Sequence, residues 1–290
     1  MKRLEVHSLS VRHEGRTRVD DISLDIAGGT LFGLIGPNGA GKSSLLKAIA
    51  QLIPHSGDVV LDSYKLEKVS ALWRARRLAY LAQSGEVAWP MNVQDFVMLG
   101  RLPHRRDSLS WSRRARQQTA QPNNDDEIVR QALEQTGLWN MSTRYLDQLS
   151  GGELARVRLA RALAVDAGVL LADEPCASLD PFHQLKVMEL LQMQSRQGRV
   201  VIVVLHDLTL ASRFCDQLLL LHEGQVVANG TPRTVLTPDN LQQVYRVQAI
   251  HGEYRDQPYI VPWQSSTPEM PPVITAPAST PDLPKEITFK

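Results

Sequence analysis

The sequence predicts an α/β fold: a parallel-sheet core, an antiparallel β portion at its N-terminal end and an inserted helical subdomain. Three observations predict it. Residues 31–35 form a short apolar run, residues 36–44 a glycine-rich turn and residues 44–50 an apolar pattern of helical spacing. Downstream, strand-sized apolar runs alternate with helix-sized segments, the signature of a sheet with crossover connections. Ahead of the turn, residues 4–12 and 19–26 place apolar side chains at alternating positions around Glu14-Gly15-Arg16, as a hairpin would.

The turn reads Gly36-Pro37-Asn38-Gly39-Ala40-Gly41-Lys42-Ser43-Ser44 and matches the phosphate-binding loop G-x-x-x-x-G-K-[ST] at every position. Its glycines let backbone N–H groups curl around phosphates, and the following helix N-terminus adds positive partial charge. Lys42 can reach the β- and γ-phosphates, and the Ser43 hydroxyl suits Mg²⁺. The expected ligand is therefore a nucleoside triphosphate with Mg²⁺.

Composition bounds the rest. The chain has 290 residues, 43% of them hydrophobic and 22% charged, ordinary for a globular protein in water. A net charge of +1 argues against nucleic acid as partner. Cys176 and Cys215 lack metal or redox spacing and suit a reducing compartment as buried thiols. Residues 1–7 lack the apolar stretch of a signal peptide, and no segment approaches the ~20 apolar residues of a membrane helix. Any tie to a membrane then runs through a partner.

Beyond the loop helix, residues 56–62 read as turn and strand, 65–73 as a short helix and 78–83 as a buried strand ending on Gln83. Helical spacing appears in 92–100 and returns in 128–138; between them, 101–127 is polar, with like-charge clusters that read as a solvated face. Leu149-Ser150-Gly151-Gly152-Glu153 precedes a helix over 154–165. Residues 169–172 are a strand ending in Asp173-Glu174-Pro175, and Ser178-Leu179-Asp180-Pro181 leads into a helix over 182–194. The strand 200–205 ends at His206-Asp207. A hairpin turn at His222-Glu223-Gly224 and two short helices, 231–236 and 239–245, complete the domain. Residues 1–250 read as one domain, with a helical subdomain over 89–165. Residues 251–290, rich in proline, read as a disordered or extended tail.

Acids at a buried strand end after a complete phosphate loop have a defined task. Asp173 would hold Mg²⁺ alongside Ser43, and Glu174 would orient or deprotonate the attacking water. His206 could hydrogen-bond the γ-phosphate and Glu174, and Gln83 could reach the metal. The His13 ring, shortly before the loop, could stack on adenine.

Leu149-Ser150-Gly151-Gly152-Glu153 resembles the signature motif of ABC transporter ATPases, and the remaining pieces fall in that family's order. Gln83 corresponds to the Q-loop, Asp173-Glu174 to Walker B and the catalytic base, Ser178-Leu179-Asp180 to the D-loop and His206 to the switch histidine. The resemblance covers residues 4–245. It implies two subunits stacked head to tail, with each ATP between one phosphate loop and the partner's Ser150, Gly151 and Gly152. It also implies a separate membrane permease faced by Gln83 and residues 89–94, an extracytoplasmic substrate-binding protein, and a location on the cytoplasmic face of the membrane. Departures from the family pattern are His13 for the usual aromatic, Glu153 for glutamine, Leu154-Ala155 for a polar pair and Cys176 for threonine.

Three segments resemble the branch that serves iron-siderophore, haem and cobalamin importers: Val97-Met98-Leu99-Gly100-Arg101-Leu102-Pro103-His104, Leu205-His206-Asp207-Leu208-Thr209-Leu210-Ala211, and Gly230-Thr231-Pro232 with Val235-Leu236-Thr237-Pro238. Such segments contact the permease or lie at the fold's end. Two other readings stay open: an ATPase for another cargo, such as zinc or manganese ions or an exported solute, and a soluble ABC ATPase of DNA repair or translation. Against the last stand the near-neutral charge and the absence of a coiled-coil insertion or second nucleotide domain in this sequence.

Overall fold

The computed structural model describes residues 2–83, 90–105 and 124–265. Strands β1 (Arg3–His13) and β2 (Arg16–Ala27) form the expected hairpin, and with β4 (Ser56–Leu61) and β5 (Tyr64–Lys65) they build an antiparallel sheet of order β2-β1-β4-β5. Along β1 the buried residues are Leu4, Val6, Leu9 and Val11. The step of three from Val6 to Leu9 is a bulge, with Ser8 at φ 47°, which returns Leu9 to the core face.

The second sheet runs β10-β9-β3-β8-β7-β6. Its strands are β3 (Leu31–Ile35), β6 (Leu78–Leu81), β7 (Val169–Ala172), β8 (Val200–Val204), β9 (Gln217–His222) and β10 (Gln225–Gly230). All neighbours are parallel except β9 and β10, joined by the tight turn at Glu223-Gly224. Every residue of β3, β7 and β8 is buried, which explains their unbroken apolar runs: both sheet faces are covered. Phe32, Leu34, Val200, Ile202 and Val204 join the core beneath the antiparallel sheet, while Leu31, Ile35, Val201 and Val203 join the core beneath the helices. Each such fully buried side chain contributes about 1.5–3 kcal/mol of transfer free energy.

The helices are α1 (Lys42–Ile49), α2 (Ala71–Ala75), α3 (Val93–Met98), α4 (Asp125–Gln135), α5 (Gly151–Ala164), α6 (Pro181–Arg196), α7 (Leu208–Phe214), α8 (Pro232–Val235) and α9 (Pro238–Tyr245). A 3₁₀ turn, Leu99–His104, continues α3. The helix expected over 65–73 is instead split into β5, a 3₁₀ turn at Leu66–Lys68, and α2 capped by Ser70.

Two expectations are corrected. The solvated face expected over 101–127 holds a buried ion pair at its ends: Arg101 Nε lies 2.8 Å from Asp125 Oδ1, with side chains 7% and 9% exposed. Residues 106–123, which carry Arg106, Asp107, Arg113, Arg114 and Arg116, lie outside the described residues. The tail expected from residue 251 begins inside a hairpin, β11 (Val247–Tyr254) and β12 (Gln257–Ser265). Prolines are tolerated there because a two-stranded sheet consists of edge strands. Ile260 is buried against α7, where the Thr209 hydroxyl donates to the Ile260 carbonyl at 2.7 Å. Residues 266–290 lie outside the described residues.

Candidate functional site

Four neighbouring strands, β3, β8, β7 and β6, end at the same edge of the parallel sheet. After them come Gly36, His206, Asp173-Glu174 and Gln83 respectively. Registers such as Leu34 with Val204 and Leu81 with Ala172 bring these ends level. Outside the carboxyl ends of parallel strands is where an open α/β sheet presents a ligand crevice. A cleft of about 520 Å³ lies there, lined by Arg18, residues 38–44, Gln83, Glu174 and His206.

The glycine-rich loop takes a shape that side chains would forbid. A Cβ on Gly36 (φ 147°) would sit 2.2 Å from the Leu221 carbonyl oxygen, and one on Gly41 (φ 102°) 2.3 Å from that of Arg18. Gly41 also stands at the N-cap of α1 and offers no side-chain acceptor, so the first N–H groups of the helix keep their capacity for an anion. Lys42 is 5% exposed, and its Nζ donates to the carbonyls of Gly36 at 2.7 Å and Pro37 at 2.9 Å. Burial pushes the ammonium below the usual lysine range, and Glu174 and Asp173 oppose that shift.

The acids take two distinct environments. Asp173 is 2% exposed; the Ser43 hydroxyl donates to its Oδ1 at 2.9 Å and the Tyr80 hydroxyl to its Oδ2 at 3.2 Å. Desolvation raises this carboxyl above its ordinary range, while those two hydrogen bonds oppose the rise. Glu174 faces the cleft at φ 51°, a left-handed backbone that non-glycine residues adopt at some cost. Its Oε2 accepts from Gln83 Nε2 and its Oε1 lies against His206 Nε2, both at 2.6 Å. A carboxylate held from both sides can orient a water and accept its proton. Ser43 and Asp173 form an all-oxygen pair that fits Mg²⁺, a cation that takes one or two carboxylates or hydroxyls and fills its shell with water and phosphate.

The other predicted residues lie apart from this cleft. Ser150 caps α5, accepting from the Glu153 N–H at 3.3 Å, while Glu153 Oε2 accepts from the Ser150 N–H at 2.8 Å. Glu153 thus completes a capping box, a task glutamine could share. Ser150 and Gly151 are exposed and Gly152 half-buried, so this helix terminus faces outward. Asp180 caps α6 through the His183 N–H at 2.9 Å and pairs with the His183 ring at 2.8 Å, contacts that hold its carboxyl below the usual range. His13 sits at the β1–β2 turn, 68% exposed beside Glu14, and is not among the residues lining the cleft.

Two residues of the site escaped sequence reasoning. Arg18 lines the cleft from β2, brought there because its carbonyl lies against Gly41. Tyr80, one of the inner residues of β6, reaches Asp173. Neither belongs to a motif; the signal for Tyr80 was a polar-tipped ring on a buried strand three residues before Gln83.

The comparisons with known proteins agree with this geometry. The ABC transporter family model matches residues 19–177. The hemin import ATP-binding protein HmuV of Pseudomonas fluorescens is 41% identical over 267 residues, covering 89% of this chain and 99% of that protein. The cobalamin import ATP-binding protein BtuD of Halobacterium salinarum is 38% identical over 251 residues, covering 86% of this chain and 60% of that one. Among solved structures, a chain of an inward-facing ABC transporter superposes with a TM-score of 0.73 at 24% identity, over 91% of this chain and 98% of that chain. A dimeric ATP-binding cassette with ADP and Pi bound gives 0.68 at 24% identity, over 79% and 99%. With a complete phosphate loop, paired strand-end acids and relatives of this identity and coverage, the chain belongs to the ABC transporter family as an ATP-binding subunit, and it is an ATPase.

Proposed function

We propose that this ATPase drives import of a haem-like metal chelate, haem itself, cobalamin or an iron-siderophore, through a separate membrane permease. The observation that carries the catalytic half is the Glu174 carboxylate, gripped at 2.6 Å by Gln83 on one side and His206 on the other. In this reading Glu174 is the general base for the attacking water, His206 and Gln83 fix its orientation, and Lys42 turns from its loop carbonyls to the β- and γ-phosphates. The loop's N–H groups, from Asn38 onward, cradle the phosphates. Ser43 and Asp173 hold Mg²⁺, with Gln83 within reach; the ion supplies positive charge against the phosphate oxygens.

Two copies stack head to tail, and Ser150, Gly151 and Gly152 of each close over the nucleotide of the other, with Asp180 beside the shared interface. The outward-facing start of α5 supports this, since its own cleft lies elsewhere. The pair works at the cytoplasmic face of the membrane, held by the permease and served by an extracytoplasmic substrate-binding protein. No helix among the described residues is long and apolar enough to cross a membrane. The relatives named for hemin and cobalamin import support the cargo class.

Uptake of labelled haem, cobalamin and ferric siderophore, compared in wild-type and deletion strains, tests it. Loss of one uptake identifies the cargo; normal uptake of all three rejects the cargo class and leaves the ATPase in place.

A further inference from the structure

The run Leu99-Gly100-Arg101-Leu102-Pro103-His104 has no task in the reaction above, yet it is built into the fold with unusual care. Gly100 packs so tightly on α5 that a Cβ there would meet the Arg161 carbonyl oxygen at 2.4 Å. Arg101 Nη1 donates to the carbonyls of Ala164 at 3.0 Å and Val165 at 3.2 Å, and its Nε to Asp125 at 2.8 Å. The first two acceptors are carbonyls that the end of α5 leaves without intrahelical partners, and a buried guanidinium there also meets the negative end of the helix dipole. His104 Nε2 lies 2.9 Å from the Val165 carbonyl, so that nitrogen carries the proton. The Pro103 carbonyl accepts from Arg76 Nε at 2.6 Å. Glycine, arginine and histidine of the run therefore each hold the same helix end.

The chain that leads into α5 is held by the same stretch. The Val93 and Gln94 N–H groups donate to the carbonyls of Arg144 and Ser142, and the Leu146 N–H donates to the Met91 carbonyl, at 2.9–3.0 Å. A single short turn, Leu146–Gln148, then leads to Ser150. The Arg161 guanidinium lies 4.9 Å from the Phe96 ring centroid between these two attachments. Residues 91–104 thus hold α5 at its C-terminal end and hold residues 142–146, the chain that leads into its N-terminal end, across a helix of 14 residues, about 20 Å.

We propose that Arg101 is a positioning residue for the signature: it locks α5 to segment 91–104, so that the placement of Ser150, Gly151 and Gly152 over a nucleotide follows the placement of that segment. This rests on the reading that the signature closes over the partner copy's nucleotide. Lysine keeps the charge opposite Asp125 but lacks the planar fork that serves a carboxylate and two carbonyls together. Arg105 Nε also lies 3.7 Å from Asp125 Oδ2, so the paired variant Arg101→Met with Asp125→Leu carries Arg105→Met as well and leaves no buried charge of this cluster without a partner.

The test uses the full chain, with turnover at saturating MgATP, KM for ATP and binding of a fluorescent ATP analogue measured for Arg101→Lys, the paired variant and Gly151→Asp. The last places a carboxylate where the signature would meet phosphate, at a position with open space for a side chain. Expected for both Arg101 variants is at least a fivefold loss of kcat, with KM and analogue affinity within twofold of wild type. Gly151→Asp should lose more. Wild-type kcat in the Arg101 variants beside an inactive Gly151→Asp overturns the proposal. So does a loss of analogue affinity in step with kcat, which would assign Arg101 to folding alone. A wild-type rate for Gly151→Asp sinks the underlying signature reading, and the proposal with it.

Discussion

Replacing Glu174 with glutamine separates chemistry from geometry at this site. The carboxylate is held by Gln83 Nε2 at one oxygen and His206 Nε2 at the other. In Glu174→Gln the amide oxygen can keep the histidine contact. The new NH₂ then faces Gln83, whose own amide can rotate to present its oxygen at little cost. Shape and packing are therefore nearly conserved, and what disappears is basicity. A positioned general base contributes about 10²–10⁴-fold, which is about 3–5.5 kcal/mol of barrier. The assay is phosphate release at saturating MgATP, run beside nucleotide affinity and ATP-dependent dimerisation by size-exclusion chromatography. Turnover should fall at least 100-fold while affinity and dimerisation survive. Turnover within about threefold of wild type would refute the assignment of Glu174 as base.

Other perturbations probe the cleft's remaining walls. Lys42→Ala removes the only cation seated inside the loop among the described residues, and ATP affinity should fall by about two orders of magnitude; a normal dissociation constant would contradict the loop reading. Arg18→Ala should weaken binding of a fluorescent ATP analogue about tenfold, whereas His13→Ala should leave it within twofold; the reverse order would return the base contact to His13. Burial, with a smaller contribution from Asp207, pushes the Cys176 thiol up to about 12, and burial likewise raises Cys215. Thiolate at Cys176 is then roughly one part in 10⁴ at pH 8. A disulfide-exchange reagent should label neither cysteine within minutes natively and both after denaturation; fast native labelling would show that these sites open.

Much of this architecture could be read directly from residue patterns. Strands such as β8 bury every side chain, so their apolar runs are unbroken and their ends fall where the chemistry begins. The phosphate loop was legible because its backbone leaves no choice of residue at Gly36 and Gly41. What stayed hidden depended on pairing at a distance. Arg101 and Asp125 lie 24 positions apart, and each looks like a surface charge until the fold brings them together against the end of α5. The β11–β12 hairpin was obscured by Pro258 and Pro262, which forbid a central strand but not an edge. Arg18 belongs to no motif, since a close backbone approach alone carries it to the cleft.

The alternation of side chains along β3 and β8 has a consequence for how such a chain can change over generations. Neighbouring residues of one strand belong to different cores: Phe32 and Ile202 to the layer that supports α1, Leu31 and Val201 to the layer that supports the helices. The sheet is a bulkhead between two compartments. A methylene lost from Leu31 opens its void on the helical side and one lost from Phe32 on the side of α1, although the two residues are neighbours in the chain. Adjacent substitutions on one strand therefore share no cavity, and an evolving chain can repack one compartment at a time.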